Sequence, residues 1–202
     1  MFSKSFRQAV LFSQLLAVSI SMSGCVCTDS KKHSAKNKNR NNEIADAGII
    51  TANRSKKATA TIRAFKGNEI HGTVTFTQMA DGVKIVADIE GLKPGKHGFH
   101  VHEFGECKGD GESAGGHFNP TKHKHGGPDS EERHVGDLGN LDADSNGRAH
   151  YERIDKMIQL EGENSVIGHS IIIHADEDDL ITQPTGASGA KIACGLIEAE
   201  KN

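Results

Sequence analysis

The stretch from Gly98 to Asp137 decides how the rest of this sequence is interpreted. It opens Gly98-Phe99-His100-Val101-His102-Glu103-Phe104-Gly105. It continues through Gly116-His117-Phe118-Asn119-Pro120 and Lys124-His125-Gly126-Gly127-Pro128, and it closes Glu132-Arg133-His134-Val135-Gly136-Asp137. Seven of the chain's 12 histidines fall between His97 and His134. Because glycines interrupt the stretch, we expect several of these histidines on loops, and so many imidazoles together indicate metal binding.

The pair His100 and His102 is predicted to lie on a strand. Side chains on a strand alternate between its two faces, so both imidazoles leave one face and Val101 leaves the other. Two such imidazoles can share one metal ion. Taken alone the pattern is weak, because a histidine pair of this kind more often faces solvent or fills a gap in the core.

Further histidines strengthen the metal interpretation. His117, His125 and His134, together with Asp137, offer three imidazoles and one carboxylate, a set that suits tetrahedral zinc. His174 follows the apolar run Ile171-Ile172-Ile173 at a predicted strand end. It could complete an all-imidazole site with His100 and His102, and imidazole ligands suit copper.

Around this stretch, apolar and polar residues alternate with the period of β-strands. The chain has 23 glycines and 4 prolines, which fits many tight turns, and no helical period is sustained after residue 58. Asp81-Gly82 is a hairpin signal. The sequence therefore predicts an all-β sandwich or barrel, with strands at Ala58–Phe65, His71–Gln78, Val83–Ile89, Lys96–Glu103, Leu138–Ala143, Arg148–Ile154, Ser165–His174 and Lys191–Ala199.

Length and charge restrict the remaining possibilities. A chain of 202 residues is most simply one domain with an additional segment. The formal net charge of −3 argues against general nucleic-acid binding. No apolar run reaches the roughly 18 residues of a membrane-spanning helix.

The N-terminus has the pattern of an export signal. Lys4 and Arg7 precede an apolar run, which ends at Ser21-Met22-Ser23-Gly24-Cys25. Small residues before a cysteine resemble a bacterial lipoprotein signal, although Met22 stands where leucine is usual; an ordinary secretory signal is the alternative. Cleavage after residue 24 would leave Cys25 as a lipidated N-terminus in the cell envelope, facing the periplasm, with 22 basic and 27 acidic residues and a net charge of −5.

Residues 25–57 are predicted to be a flexible polar linker, and residues 58–202 the folded domain. The linker lacks apolar periodicity, and its coil dimensions are roughly 30 Å. The sequence assigns no role to Cys27. Asn53-Arg54-Ser55 fits a glycosylation acceptor, so another export route stays open.

The motifs above, with Val135-Gly136-Asp137-Leu138-Gly139-Asn140 and Ala193-Cys194-Gly195, resemble the copper/zinc superoxide dismutase family from about Ala58 to Ala199. The resemblance implies an eight-stranded Greek-key β-barrel with a long metal-binding loop and a shorter channel loop. It implies that copper cycles between two oxidation states to convert superoxide to O₂ and H₂O₂, and that zinc is structural. It also implies a possible homodimer.

The resemblance also assigns residues. It places copper on His100, His102, His117 and His174, and zinc on His117, His125, His134 and Asp137. His117 would bridge the two metals and take up a proton when copper is reduced. Asp178 would join a copper ligand to a zinc ligand, His97 would be structural, and Cys107 and Cys194 would form a disulfide.

One residue departs from the family pattern. Lys191 stands where the family has an arginine at the mouth of the copper channel, and lysine keeps the charge but loses the planar fork. The channel loop from Asp178 to Lys191 is short, and its segment Ile181–Gly186 carries no charge. We therefore expect Lys191 to act in catalysis by attracting superoxide, at a rate below the family norm.

Two other functions fit the same residues. A non-catalytic copper/zinc-binding or copper-delivery domain could share this fold, because fold alone does not fix activity. A zinc-only structural or adhesion module is the weaker alternative, since the zinc set alone would order the loop. All four copper positions are filled, which favours the enzyme.

Overall fold

The structure is a computed structural model that describes residues 56–65, 67 and 69–201. The predicted signal peptide, Cys25, Cys27 and nearly all of the predicted linker lie outside these residues. Within the described part of the chain, no helix has the length and apolar character needed to cross a membrane.

Nine β-strands and one 3₁₀ turn form the described domain. The strands are β1 (Lys57–Ala64), β2 (His71–Met79), β3 (Gly82–Glu90), β4 (Gly95–His102), β5 (Asp137–Ala143), β6 (Ala149–Asp155), β7 (Ser170–His174), β8 (Lys191–Leu196) and β9 (Glu198–Ala199). The 3₁₀ turn is Glu112–Ala114. The longest connections are the metal loop, residues 103–136, and the segment after β7 that contains the channel loop.

The strands form one antiparallel sheet that nearly closes on itself. Its order is β5-β4-β7-β8-β1-β2-β3-β6, with β9 paired to β1. β5 and β6, the two ends of this order, follow each other in the chain and contact each other. β7 returns from β6 to lie beside β4, which is a Greek-key crossover. The prediction of an eight-stranded Greek-key barrel is confirmed, with β9 as a two-residue addition.

Strict alternation explains the barrel core. In β2, Val74 and Phe76 are buried and the neighbouring threonines face outward, and β3 repeats the pattern with Val83, Ile85 and Ala87. A period of two turns every second side chain inward, so these strands build a common aliphatic core. Other members of the core are Ala58, Ala60, Ile62, Ile89, Phe99, Val101, Leu138, Leu141, Ile171, Ile173 and Ala193.

The structure corrects three strand details. β7 begins at Ser170 and not at Ser165, because Gly168 has a φ of 87° and turns the chain. The final strand is interrupted at Ile197, whose N–H donates to the His169 carbonyl at 2.9 Å. The β2–β3 turn lies one residue earlier than predicted, because Met79 pairs with Gly82.

β4 is buried on both faces from His97 to its end. Phe99 and Val101 pack in the barrel core, whereas His100 and His102 leave the opposite face, where loops cover them. β4 pairs with β7 with His100 opposite Ile172, and β7 ends at His174. The sheet register therefore brings the three histidines to one place.

Candidate metal centre

The metal loop is attached to β4 at both of its ends. The Phe118 N–H donates to the Val101 carbonyl, the Val101 N–H donates to the Gly136 carbonyl, and the Gly136 N–H donates to the Phe118 carbonyl, each at 2.9 Å. A Cβ on Gly136 would lie 2.2 Å from the Val101 oxygen, so only glycine allows this approach. His117 and the residues before Asp137 are thereby fixed against the barrel wall.

One cluster, here called the first histidine group, consists of His100, His102, His117 and His174. All four are buried, and one nitrogen from each lies within 4.8 Å of the others. Nε2 of His102 and Nε2 of His174 are 3.2 Å apart. Two of the four rings come from β4, one from the end of β7, and one from the metal loop.

The remaining nitrogens of three of these rings are occupied. His100 Nε2 lies 2.7 Å from Asp178 Oδ2, His102 Nδ1 lies 3.0 Å from the Gly115 carbonyl, and His174 Nδ1 lies 3.1 Å from the Gly189 carbonyl. A ring nitrogen beside an oxygen acceptor carries the proton, which leaves a lone pair on the other nitrogen. The free nitrogens thus point into the group, and His100 Nδ1 has no hydrogen-bond partner.

The other cluster, the second histidine group, consists of His117, His125, His134 and Asp137. Asp137 Oδ1 lies 2.7 Å from His117 Nδ1, 3.0 Å from His125 Nδ1 and 3.2 Å from His134 Nδ1. Nδ1 of His125 and Nδ1 of His134 are nevertheless buried without a hydrogen-bond partner. These nitrogens are close to the carboxylate but are not aimed at it for hydrogen bonding.

His117 belongs to both clusters. Its Nδ1 contacts Asp137 in the second histidine group, and its Nε2 is buried without a hydrogen-bond partner and belongs to the first. Its ring centroid is 4.0 Å from that of His100. One imidazole therefore presents a nitrogen to each of two adjoining sites.

Burial keeps the first histidine group neutral. Burial, followed by repulsion from His117, lowers the pKa of His100 to about 3, and burial lowers the pKa of His174 to about 4. Burial also lowers the pKa of His102 well below its usual value. Metal ligation needs a deprotonated imidazole nitrogen, and these rings provide it at neutral pH.

The second histidine group has the opposite electrostatic character. Burial alone would lower the pKa of His125, but its close contacts with the Asp137 and Asp178 carboxylates raise it to about 9. Burial alone would raise the pKa of Asp137, but its close contacts with three histidines hold that pKa far below the usual range. His125 and Asp137 therefore favour their charged forms, whereas burial lowers the pKa of His117.

Both groups fit metal ions. Four imidazole nitrogens suit copper, and three imidazoles with one carboxylate suit zinc. Unpaired buried polar atoms are unfavourable, and in this structure four such nitrogens belong to the two groups. They are His100 Nδ1, His117 Nε2, His125 Nδ1 and His134 Nδ1.

Asp178 connects the two histidine groups by contacting the Nε2 atom of one ring in each group. Its Oδ2 lies 2.7 Å from His100 Nε2 and its Oδ1 lies 2.9 Å from His125 Nε2. The side-chain amide of Asn140 holds the Asp178 main chain, donating to its carbonyl at 2.9 Å and accepting from its N–H at 2.8 Å. The carboxylate that orients one ring in each group is thus itself held in place.

His97 lies beneath the site and belongs to neither group. Its Nδ1 is 2.8 Å from the His174 carbonyl and its Nε2 is 2.9 Å from the Lys93 carbonyl. Both ring nitrogens are occupied, so neither is free for a metal. This contact joins β4 to the end of β7.

Arg133 holds the end of the metal loop. Its Nη1 donates to the carbonyls of His134, Val135 and Asp137 at 2.9, 3.1 and 3.1 Å. Its Nη2 contacts Asp155 Oδ2 at 2.5 Å, and both side chains are buried. The sequence analysis did not identify this residue as part of the site.

Lys191 lies beside the first histidine group. Its Nζ donates to the Gly115 carbonyl at 3.1 Å, the same oxygen that His102 Nδ1 approaches. Three residues further along β8, Cys194 forms a disulfide with Cys107 of the metal loop, with 5.6 Å between their Cα atoms. The disulfide implied by the resemblance is therefore present.

The sequence analysis missed the side chains that hold the main chain of the site. Asn140 and Gln183 each bind the N–H and the carbonyl of one residue, Asp178 and His125 respectively. Asn140 is the last residue of the motif Val135-Gly136-Asp137-Leu138-Gly139-Asn140, so the sequence contained a signal for its role. Nothing in the sequence pattern distinguished Gln183 from other loop residues.

Comparison with known proteins identifies the same architecture. The family model described as "Copper/zinc superoxide dismutase (SODC)" matches residues 70–197. The crystal structure of the clock protein EA4 is similar to this one with a TM-score of 0.67 and 39% identity, covering 71% of this chain and 94% of that chain.

Curated relatives share much of the sequence. The extracellular superoxide dismutase [Cu-Zn] of Brugia pahangi is 41% identical over 84% of this chain and 88% of its own length. The superoxide dismutase [Cu-Zn] of Onchocerca volvulus is 42% identical over 69% of this chain and 96% of its own length. The corresponding protein of Paramecium bursaria Chlorella virus 1 is 50% identical, over 63% of this chain and 72% of its own length.

Proposed function

The chain belongs to the copper/zinc superoxide dismutase family, and we propose that it dismutes superoxide at the two histidine groups joined by His117. Membership makes it an oxidoreductase that uses copper and zinc. The observation that carries the proposal is the buried imidazole of His117, which presents a nitrogen to each group. Sharing one ring couples a redox-active site to a site that is not redox-active.

In this proposal the first histidine group holds copper and the second holds zinc. The all-imidazole set of His100, His102, His117 and His174 matches copper, whereas the charged carboxylate of Asp137 favours zinc. Asp178 and the carbonyls beside His102 and His174 fix the ring orientations, which is how residues around a metal site usually act. His97 contributes only structure.

The chain's own residues would then divide the work. Copper, when bound, supplies the electron transfer that oxidises one superoxide to O₂ and reduces a second, with two protons, to H₂O₂. His117 Nε2 is the atom at which the chain can hold one of these protons, because it faces the first group. The Lys191 ammonium would attract the anionic substrate.

The decisive experiment is metal analysis of the purified protein together with a superoxide-dismutation assay. We expect one copper and one zinc per chain, with activity that His117→Ala abolishes. Full copper occupancy without activity would instead favour the non-catalytic copper-binding or copper-delivery domain.

Export to the cell envelope is the second part of the proposal. The Cys107–Cys194 disulfide supports export, because disulfides persist in oxidising compartments, and one relative is named extracellular. A signal peptide at residues 1–24, lipid on Cys25, a linker over 25–57 and a domain over 58–202 would hold the enzyme at the envelope, facing the periplasm, to remove external superoxide. Incorporation of a labelled fatty acid that is lost in Cys25→Ala tests the anchor.

A homodimer is the third part. Phe104 and Leu196 are large apolar side chains that are 50% and 39% exposed. Phe104 directly precedes Gly105 in the chain, and a Cβ on Gly105 would come within 2.7 Å of Leu196 Cδ1. Exposed apolar patches can mark interaction surfaces, and this region is the proposed contact. Sedimentation velocity tests this surface: Phe104→Glu should convert a dimer to a monomer, and a wild-type monomer would contradict the proposal.

A further inference from the structure

We propose that Gln183, in the channel loop, is a positioning residue for the zinc half of the centre and acts by holding the main chain of His125. The inference rests on the proposed assignment of zinc to the second histidine group. It extends that assignment to a residue that neither binds metal nor touches one of the coordinating atoms.

The contact consists of two hydrogen bonds between the side-chain amide of Gln183 and the main-chain N–H and carbonyl of His125. Gln183 Oε1 accepts the His125 N–H at 2.9 Å, and Gln183 Nε2 donates to the His125 carbonyl at 2.9 Å. Nε2 also lies 3.1 Å from the Ile181 carbonyl within its own loop. A planar amide with one donor and one acceptor matches the main chain of a single residue, as a neighbouring strand would.

His125 depends on this contact because it has no strand neighbour. His100 and His102 lie on β4, where pairing with β7 holds their main chain. His125 lies in the metal loop, and among the described residues its main-chain N–H and carbonyl have no backbone hydrogen bond. Gln183 therefore takes the place of a strand for this one residue.

The channel loop also controls the His125 ring. Asp178 Oδ1 lies 2.9 Å from His125 Nε2. Gly186 packs against the Asp178 carboxylate and the His125 ring. A Cβ on Gly186 would lie 1.8 Å from Asp178 Oδ1 and 2.7 Å from His125 Nε2. The channel loop therefore holds the His125 main chain through Gln183 and the His125 ring through Asp178. On the barrel side, Asp137 of β5 accepts the Gly126 N–H at 3.1 Å and lies 3.0 Å from His125 Nδ1.

Loss of the amide should affect zinc and spare copper. In Gln183→Leu, a side chain of similar size cannot make either hydrogen bond, and the His125 main chain becomes free to shift. Substitutions around metal ligands commonly reduce metal affinity by about 10- to 100-fold. We expect the lower end of this range, since Gln183 is exposed to solvent.

The test uses the full-length protein loaded with copper and zinc. Zinc release to an excess of a chromogenic chelator should be about tenfold faster in Gln183→Leu than in the wild type. With Co²⁺ in place of zinc, the visible ligand-field bands should shift or broaden, whereas the copper electron paramagnetic resonance spectrum should remain unchanged. Gln183→Glu keeps the acceptor but not the donor and should give an intermediate release rate.

Thr182→Val is the matched control in the same loop. It removes the hydrogen bond from Thr182 Oγ1 to Asp179 Oδ2, 2.6 Å long, which touches no member of either histidine group. Zinc release and Co²⁺ bands like those of the wild type are expected. Equal release from Gln183→Leu and Thr182→Val would overturn the inference alone, whereas a wild-type protein that takes up neither zinc nor Co²⁺ would overturn the proposed function. If Gln183→Leu does not fold, the comparison of Gln183→Glu with Thr182→Val decides.

Discussion

The two histidine groups that meet at His117 are built from different kinds of structure. Three members of the first group lie on β4 and β7, so the register of a sheet places them. Three members of the second group, His117, His125 and His134, come from the metal loop. Backbone hydrogen bonds beside His117 fix it to β4, whereas side chains hold the main chain of His125 and of His134. A sheet sets ligand positions through many cooperative hydrogen bonds, whereas a loop depends on a few contacts that single substitutions can remove.

Charge follows the same division. The first group has no acidic member, and burial lowers the pKa of its rings. The second group contains Asp137, and carboxylates raise the pKa of His125 to about 9. The strand-built group is therefore ready as a neutral ligand set, whereas the loop-built group contains an imidazole and a carboxylate that favour their charged forms.

The largest effect is expected for Arg133→Met. This change removes the buried ion pair with Asp155, which keeps its hydrogen bonds from the Met157 and Ile158 N–H groups, and it removes the Nη1 donor to three carbonyls at the end of the metal loop. Breaking a buried ion pair costs about 3–5 kcal/mol. Denaturant unfolding of the metal-free protein should reveal a loss of this size. Arg148→Met is the control, because Arg148 pairs with Glu90 and both side chains are exposed; an equal loss in both variants would contradict the prediction.

A smaller effect is expected for Asp178→Asn, which weakens the connection between the groups. The new amide is uncharged and has one acceptor oxygen in place of two. It therefore cannot accept hydrogen bonds from both His100 and His125 as the carboxylate does. We expect zinc affinity to fall about 10- to 100-fold, in the range typical of residues that orient ligands. Competition with a chelator measures this, and copper affinity should fall less because β4 holds His100. A greater loss of copper than of zinc would reverse the proposed contrast.

The pH dependence of the metal-free protein should separate the groups further. The folded-state pKa values of His100 and His174, about 3 and about 4, lie below the 6.5 of a free imidazole. The unfolded chain then binds more protons, so their contribution to stability is lost as pH falls below about 6.5. The pKa of His125 is raised to about 9, so its contribution is present below about 6.5 and is lost as pH rises towards 9.

Each group should therefore account for one side of the stability profile. At most about 1.4 kcal/mol per pH unit can come from one titrating group. Unfolding free energies measured from pH 4 to 10 should lose part of the alkaline decline in His125→Gln and part of the acidic decline in His174→Gln. An alkaline decline that is unchanged in His125→Gln would argue against the charge-based description of the second group.

The smallest effect is expected for Lys191→Arg, which leaves both groups intact. A planar guanidinium offers several donors where the ammonium has one position, so kcat/KM for superoxide should rise a few-fold. Rates measured over a range of ionic strength separate attraction from docking, because screening weakens only the former. An unchanged or lower kcat/KM would contradict the expectation that lysine makes this enzyme slower.

The sequence predicted the strand-built part of the molecule better than the loop-built part. Alternation of apolar residues located β2, β3 and β4, because a period of two leaves a direct trace in the sequence. It extended β7 too far, because Val166 is buried without belonging to a strand and the following glycine turns the chain. An apolar residue in a buried turn has the same signature as one in a strand.

The candidate site divides in the same manner. Residue types and strand positions indicated the histidines and Asp137, resemblance to a family added the shared role of His117, and the structure brings all of them together in two groups. The roles of Arg133 and Gln183 could not be predicted from the sequence. Gln183 contacts a main chain that is distant in sequence, and Arg133 contacts a nearby main chain of irregular shape. Hydrogen bonds from side chain to main chain leave no periodic pattern in a sequence.

The two-ended attachment of the metal loop to Val101 has a consequence for how this protein can change in evolution. Phe118 and Gly136 are both pinned to β4, so the long connection behaves as two separate shorter ones, residues 103–116 and 119–135. An insertion or deletion in the first segment alters the disulfide region without moving His125 or His134. A change of length in the second segment leaves His117 where it is. The two segments can therefore change in length separately while the shared histidine keeps its place.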